Sequence, residues 1–598
     1  MLERTAGLET EYAIRHSPGG DGPRHSNLTV FRALRDAIGA RVATRSGETP
    51  LARFLHAEDQ RFFVENGGSF NYESISLAPD AGLMEGSTPE CRGPTQVVLY
   101  QRAQDALLAR ALDDAEGSLD GGDGARLGLL KNCRDADGNI YGAQENYSCT
   151  IARGPRLLLL RLGLVLLAPW TLVVGWSLQL LFVLLLLVGI AIVIALALLL
   201  LVGMVAAGLI DLVLAAFRSP TRLGPLVDRA FLWLQGDGSA LRRAGSFEPR
   251  RTLPLRLAFA SDAFLSSMIF LPYAQLLRAL AFREVRRDGM AFLISRPILS
   301  GAGTLLEGDR FALSEKGPAI RRPMRTTVIG SGYGIVDPGN LVKGALNVIF
   351  LEYGAFVRLL RSQQRLQLGL SDSNMAEPAE YLKVGTTMLL LDMVEAGRLR
   401  DAPRPRDPVA ALHAIVLDPT LKASVPLRDG REMTALELQR YYLDQAKQFV
   451  SDAEATSLEA RHVVQLWEEA LDALESDPGQ LVGRLDWVTK RYLLETVQPP
   501  EGVDAQAFRK KIDLRYHELR DGYFKQLQEA GMAPRVVEAD DVAEAIRAAP
   551  PDTRALQRSR LIKQLAYEEA PVSVGWDSVR VGKGLRATVI QLDDHRPH

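Results

Sequence analysis

Cysteine is nearly missing from this chain: Cys91, Cys133 and Cys149 are the only three among 598 residues, and none has CxxC spacing. An odd, sparse set excludes a disulfide-stapled scaffold and a structural zinc site of paired thiolates, and it fits a reducing compartment. Excess charge of one sign is missing too, with 70 Lys plus Arg against 72 Asp plus Glu. No global field attracts a polyanion, so no nucleic-acid partner is expected. The start, Met1-Leu2-Glu3-Arg4-Thr5-Ala6-Gly7, shows no basic region followed by an apolar stretch. No cleavable export signal is therefore visible, and the body is expected to begin in the cytosol. The length exceeds that of one usual core, which implies a large domain with appended parts.

The sharpest absence is local. From Leu162 to Ile210 there is no Asp, Glu, Lys, Arg or His. One bilayer crossing takes about 20 apolar residues at about 1.5 Å per residue, so this run is too long for one span and suits two with a tight turn, placed between Phe182 and Ala191. Arg153, Arg156 and Arg161 precede the run, and Arg218 and Arg222 follow it. Both ends then face the cytoplasm by the positive-inside rule. Trp170 and Trp176 suit interfacial anchors, and Pro169 suits a kink or a re-entrant piece. The expectation is a multi-pass protein of the inner (cytoplasmic) membrane, with lipid as a partner and the catalytic body in the cytoplasm. A buried helical hairpin in a soluble core, a single span and a re-entrant segment are the alternatives. Residues 154–218 form the expected transmembrane hairpin and 219–282 a membrane-proximal insertion. The insertion carries Arg242, Arg243, Arg250, Arg251 and Arg256 and is either amphipathic at the membrane or helical and packed on the body.

On either side of the run the chain is rich in carboxylates. Gly7-Leu8-Glu9-Thr10-Glu11-Tyr12 alternates, so on a strand Glu9 and Glu11 face one side. Two carboxylates on one face suit Mg²⁺, which prefers hard oxygen ligands, although a solvated strand face reads the same way. A second acidic strand runs from Asn66 to Glu73, and Met84-Glu85-Gly86-Ser87-Thr88-Pro89-Glu90-Cys91 follows. Polar residues crowd Lys131 to Asp135 and Gly138 to Tyr147. After the insertion, Arg365 and Asp372-Ser373-Asn374-Met375-Ala376-Glu377 precede Tyr381-Leu382-Lys383-Val384-Gly385-Thr386-Thr387 and an apolar helix. Ser373 and Asn374 are placed to cap that helix, and its start is also a place for an anion.

In this order, these blocks resemble the family of the Pup ligase (proteasome accessory factor A) and the Pup deamidase. Its patterns G-x-E-x-E-[YF], K-N-N-x-D, Y-G-x-H-E-N-Y, G-D-x-N-x-x-E and L-K-x-G-T are answered by the segments quoted. The resemblance covers residues 1–153 and about 284–580. It implies an α+β fold with a glutamine-synthetase-like curved antiparallel sheet, here interrupted by the insertion. The catalytic parts would be 1–153 and 283–499, with a small C-terminal domain at 503–598 after Pro499-Pro500-Glu501-Gly502. It also implies ATP and Mg²⁺ as cofactors. The partners would be a Pup-like or other Glx-terminated peptide tag, modified at its terminal Glu or Gln side chain, and tagged proteins. Glu9, Glu11, Glu85 and Glu145 become the metal candidates, Glu9, Glu11, Glu85, Arg365 and Lys383 the nucleotide-binding candidates, and Glu73 the catalytic carboxylate.

The chain departs from the family pattern at several of these places. Glu73 stands where the family has Asp at the end of N-G-x-R-L-Y-x-D, and Ser69 and Asn71 replace the Arg and Tyr of that motif. Leu83, Gln144 and Gln367 replace histidines, and glutamine cannot titrate. The stretch between Arg325 and Arg365 has no counterpart of I-N-T-R-D-E-P-H-A-D. Two readings therefore stand: an active ATP-dependent enzyme (ligase, deamidase or depupylase), and a degenerate member serving as a membrane-bound scaffold for nucleotide or tag.

Overall fold

The computed structural model describes residues 1–19, 24–47, 60–75, 78–119, 126–136, 138–216, 271–325, 333–350, 353–453, 457–566, 568, 571–582 and 587–593. It divides into two compact units, Met1–Leu164 with Ala274–His598, and Val165–Tyr273.

The first unit is built on an 11-stranded sheet. Its strands are β1 (Thr5–Ser17), β2 (Thr44–Ser46), β3 (Phe62–Val64), β4 (Ser69–Ile75), β5 (Ala78–Ser87), β6 (Cys91–Arg92), β7 (Arg126–Leu130), β8 (Gln144–Thr150), β9 (Ile320–Met324), β10 (Tyr333–Asp337) and β11 (Gln363–Leu368). The order is β9-β10-β11-β8-β1-β5-β4-β3-β2, with β6 and β7 also pairing with β1. Every pairing is antiparallel except β9 with β10. The chain is thus mixed α+β with a large sheet, as expected.

β1 shows how the sequence dictates two faces. Ala6, Leu8, Thr10 and Tyr12 are buried while Gly7, Glu9 and Glu11 stay half-exposed, the period of two that a strand with one packed face requires. Helix α1 (Asn27–Arg41) is capped by Ser26, whose Oγ accepts from the Thr29 amide, and it buries Val30, Phe31, Leu34, Ala37 and Ile38 at helical spacing. Helix α2 (Gly93–Leu119) covers the packed face of β1. There Tyr12 donates to Asp105 at 2.7 Å, Thr10 donates to Gln101 at 3.2 Å, and Lys131 donates to Asp105 at 2.9 Å. This buried polar network leaves the chemistry to the opposite, open face.

The C-terminal residues do not form the separate domain expected at 503–598. Leu519 donates its amide to Leu129 O at 3.0 Å, and the Asn66 side chain donates to Ala545 O at 2.9 Å. Arg558, fully buried, grips Glu90 and lies 4.7 Å from the Trp576 ring centroid. Pro499-Pro500 is a bend on the surface of one body, because the residues after it supply part of its core.

The second correction concerns the apolar run. Helix α3 (Pro155–Ala216) is one unbroken helix of 62 residues that continues through Pro169 and through the place expected to turn, Phe182 to Ala191. That decapeptide contains one glycine and no proline or capping residue, so nothing local stops the hydrogen-bond ladder. Two stretches, Pro155–Ser177 and Leu187–Ile210, are each long and apolar enough to cross a membrane, and no residue in the second is buried. Within the second unit, Thr171 and Tyr273 share a hydroxyl hydrogen bond of 2.7 Å. Residues 217–270, with Arg218, Arg222 and the basic cluster from Arg242 to Arg256, lie outside the described residues.

Candidate active site

The open face of the sheet gathers carboxylates from three adjacent strands. Glu11 on β1 sits directly opposite Glu85 on β5, and Glu85 sits opposite Asn71 on β4. Glu73 lies two residues along β4 on the same face, exposed. Glu9 opposes Ser87 on one side and Gln144 on the other. Like charges directly opposite in a sheet are destabilising, so this arrangement costs folding free energy. The electrostatics show the strain. Burial and the Glu73 charge push Glu11 up to about 8, against the amide of Gly142 and the Lys316 charge, which pull it down. Burial, Glu9 and Glu73 push Glu85 up to about 7, opposed by Arg61 and by the Asn71 amide.

The surroundings hold these groups in place. Gly142 donates its amide to Glu11 Oε2 at 2.9 Å. Its φ is +90°, and a Cβ there would lie 2.6 Å from Cys133 Sγ, so glycine alone suits the position. Lys316, buried, donates to the carbonyls of Gly142 and Ala143 at 3.1 and 2.8 Å. Arg365 on β11 donates to Asn146 Oδ1 at 2.6 Å and pairs with Glu9. Next to it Gln367 on β11 opposes Asn146 and Asp337, and Arg325 pairs with Asp337 at 3.0 Å. Arg325, Asp337, Asn71 and Lys316 are not singled out by the sequence. Only Asn71 carried a signal, as the same-face neighbour of Glu73.

Two expected site residues lie elsewhere. Glu145 points to the packed face, fully buried, where both carboxylate oxygens accept from Arg296 at 2.8 and 2.6 Å and the Tyr147 hydroxyl donates at 2.6 Å. These contacts hold its carboxyl below the usual range despite burial. Its alternation with Gln144 and Asn146 puts it there, and a saturated, buried carboxylate has no free oxygen for a metal. Lys383 is likewise buried, in helix α4 (Glu377–Glu395), and donates to Asp372 O at 2.9 Å. The turn before that helix does not cap it. Asn374 donates to Asp486 at 2.8 Å, and Asp372 accepts three backbone amides, from Ala302, Glu315 and Lys316. Asp372 thereby fixes the segment that carries Lys316 to the active face.

The Glu145–Arg296 pair yields a stability prediction. Arg296→Ala strands a buried carboxylate and is expected to cost about 3–5 kcal/mol, read by urea denaturation. A change under about 1 kcal/mol would show that water reaches the pair.

Glu9, Glu11 and Glu85 are a hard-oxygen donor set whose mutual repulsion, with that of Glu73 beside them, a divalent cation would relieve, so they fit Mg²⁺. Among the described residues no three carboxylate, histidine or cysteine side chains by themselves enclose an ion. A pH prediction follows. Because the folded pKa values of Glu11 and Glu85 lie above the ordinary 4.5, the folded state holds protons that the unfolded chain has released. Their contribution is lost as pH rises from about 4.5 through about 8. Metal-free protein is expected to melt lower at pH 8 than at pH 6, with Mg²⁺ restoring more at pH 8. Calorimetry showing equal Mg²⁺ effects at both values would contradict this.

Comparison with known proteins gives a consistent picture. The family model described as Pup-ligase protein matches residues 4–580. A Pup deamidase/depupylase of Mycolicibacterium smegmatis is 36% identical over 292 residues, 48% of this chain and 56% of the relative. A depupylase of Acidothermus cellulolyticus is 39% identical over 322 residues, 50% of this chain and 59% of the relative. A Pup–protein ligase of Paenarthrobacter aurescens is 30% identical over 312 residues, 51% of this chain and 65% of the relative. The aligned part thus spans little more than half the length of the first two relatives. The solved complex of the prokaryotic ubiquitin-like protein Pup with its ligase PafA superposes with a TM-score of 0.63 at 21% identity, covering 99% of this chain and 90% of the other. PafA in complex with ADP gives 0.57 at 20%, covering 96% and 93%. At these identities the structures establish a shared fold.

Proposed function

The chain belongs to the Pup-ligase family, and from that premise we propose that it is an ATP- and Mg²⁺-dependent enzyme acting on the terminal Glu or Gln side chain of a Pup-like tag, by ligation, deamidation or depupylation. The observation that carries this is the acidic open face, where Glu9, Glu11, Glu85 and Glu73 come from three neighbouring strands and Arg365 flanks them. One relative is named Pup deamidase/depupylase, one depupylase and one Pup–protein ligase, and one structural neighbour was solved with ADP.

When bound, ATP and Mg²⁺ supply an activating phosphoryl group and the positive charge that stabilises its transfer. The chain's own residues do the rest. Glu9, Glu11 and Glu85 present oxygens for the cation. Gly142 N–H keeps the Glu11 carboxylate turned to the face. Arg365, steadied by Asn146, offers a fork of donors to phosphate or to the tag's carboxylate. Glu73 is exposed and has no hydrogen-bond partner among the described residues, which leaves it open to take the proton from the attacking water or lysine amine.

The second reading, a scaffold that binds without turnover, is favoured by Gln144 on β8, opposite Glu9, and Gln367 on β11, two residues from Arg365, neither of which has a titratable group. Nucleotide consumption by the full chain in detergent separates the two. Tag-dependent ATP loss that disappears in Glu85→Ala supports the enzyme. No ATP loss from folded protein that binds nucleotide supports the scaffold.

The proposal extends to placement. The stretch from Leu162 to Ile210, free of charge throughout and with no buried residue from Leu187 to Ile210, is the anchor to the cytoplasmic membrane. Arg153, Arg156 and Arg161 put the first unit on the cytoplasmic side.

A further inference from the structure

Where the chain leaves the first unit to enter α3, and where it returns, the two segments pack together. Phe282 donates its amide to Ile151 O at 2.7 Å, Arg156 pairs with Glu284, and a Cβ on Gly163 would lie 2.6 Å from Leu276. The returning segment also lines a cleft of about 490 Å³, through Arg278, Arg283, Arg286 and Arg287, together with Arg404 and Arg428. All but the half-buried Arg286 are exposed.

The charge balance of this cleft is one-sided. Asp288 is its one nearby carboxylate with an ion pair there, 2.6 Å from Arg287 and 3.6 Å from Arg404. Glu284 is engaged by Arg156. Arg286 spends its donors on the carbonyls of Ala281 and Arg278, at 3.1 and 2.7 Å, which aims its charge at the cleft without neutralising it. Burial and the neighbouring Arg278 and Arg283 depress its pKa, opposed by Glu284. Among the described residues Arg278, Arg283 and Arg428 have no ion pair. Holding so many guanidiniums around one hollow costs repulsion that a bound anion removes, and their planar forks match phosphate oxygens.

We propose that this arginine cleft is a binding site for the phosphate headgroup of an anionic phospholipid, seated at the root of the apolar helix. The inference rests on the membrane-anchored reading of α3. It goes beyond that reading by naming the residues that select lipid charge. The source is lipid because of position: Arg278 and Arg283 are chain neighbours of Leu276, Phe282 and Glu284, which contact Gly163, Ile151 and Arg156 at the start of the candidate span, and basic pockets at the cytoplasmic side of membrane helices hold anionic headgroups. The arginine stems supply apolar lining while the heads stay wet.

The test uses full-length protein purified in detergent with an equimolar mixture of phosphatidylglycerol and phosphatidylcholine, with retained lipid counted by native mass spectrometry. Wild type is expected to retain phosphatidylglycerol at least about tenfold over phosphatidylcholine. The triple variant Arg278→Gln, Arg283→Gln, Arg428→Gln is expected to fall towards parity, since each surface arginine contributes roughly fivefold. Its melting temperature should not fall, because these side chains make no ion pair among the described residues and their removal relieves repulsion. Equal retention by wild type and variant would overturn the proposal. So would displacement of the lipid by millimolar inorganic phosphate, which would assign the cleft to a free anion. Carbonate extraction of cell membranes separates the two levels. A chain that resists extraction but shows no lipid preference loses only the headgroup site, whereas a chain found in the soluble fraction loses the anchor as well.

Discussion

Glu73→Ala is expected to lower the rate of product formation by about 10²–10⁴-fold, the range that general acid–base catalysis contributes, with little change in melting temperature. The side chain is exposed and makes no hydrogen bond among the described residues, so its removal breaks no packing. Glu73→Asp restores the residue type of the family pattern but draws the carboxylate back by one methylene, about 1 Å. If the site has adapted to Glu, this costs on the order of a hundredfold. The ranking wild type, then Asp, then Ala is the expected outcome of single-turnover kinetics. Unchanged rates in Glu73→Ala would remove this residue from the chemistry.

The second large effect concerns the anchor. Replacing Val165–Tyr273 with a short Gly/Ser linker is expected to move the protein from the membrane to the soluble fraction while keeping its stability and any Pup chemistry. The ends to be joined already meet, since Gly163 abuts Leu276 and Ile151 bonds to Phe282. All of these residues belong to the first compact unit, which contains the sheet, the acidic face and the arginine cleft. Exposed apolar side chains such as Leu199, at 71%, and Val202, at 68%, would leave with the excised part. A soluble, folded, active variant is the expected result. Aggregation would mean that the first unit needs the insertion to fold.

The acidic face was legible because its information is local. Glu9 and Glu11 are two residues apart, and period-two alternation places them together on any half-packed strand. The same alternation assigns Glu145 to the packed face beside Tyr147 and Cys149, whereas the motif it belongs to points to the site. Lys383 is similar: it sits in a helix buried on all sides, where the amphipathic pattern gives no facing. Arg325 and Asp337 were not legible, because a parallel pair and an antiparallel pair of strands bring them beside Arg365, and such contacts leave no local trace. The apolar run was legible as apolar. Its division into two helices was inferred from bilayer thickness, which acts on the chain from outside, and the continuous helix obeys the backbone alone.

The central claim is chemistry on a Glx-terminated tag at the acidic face. The direct measurement is mass spectrometry of Pup ending in Gln or in Glu, incubated with full-length protein, ATP, Mg²⁺ and a lysine-bearing acceptor, beside Glu11→Ala as control. The account predicts a mass gain of one unit as Gln becomes Glu, or an isopeptide adduct on the acceptor, with neither formed by Glu11→Ala. Unaltered Pup from folded, nucleotide-binding wild-type protein would contradict it.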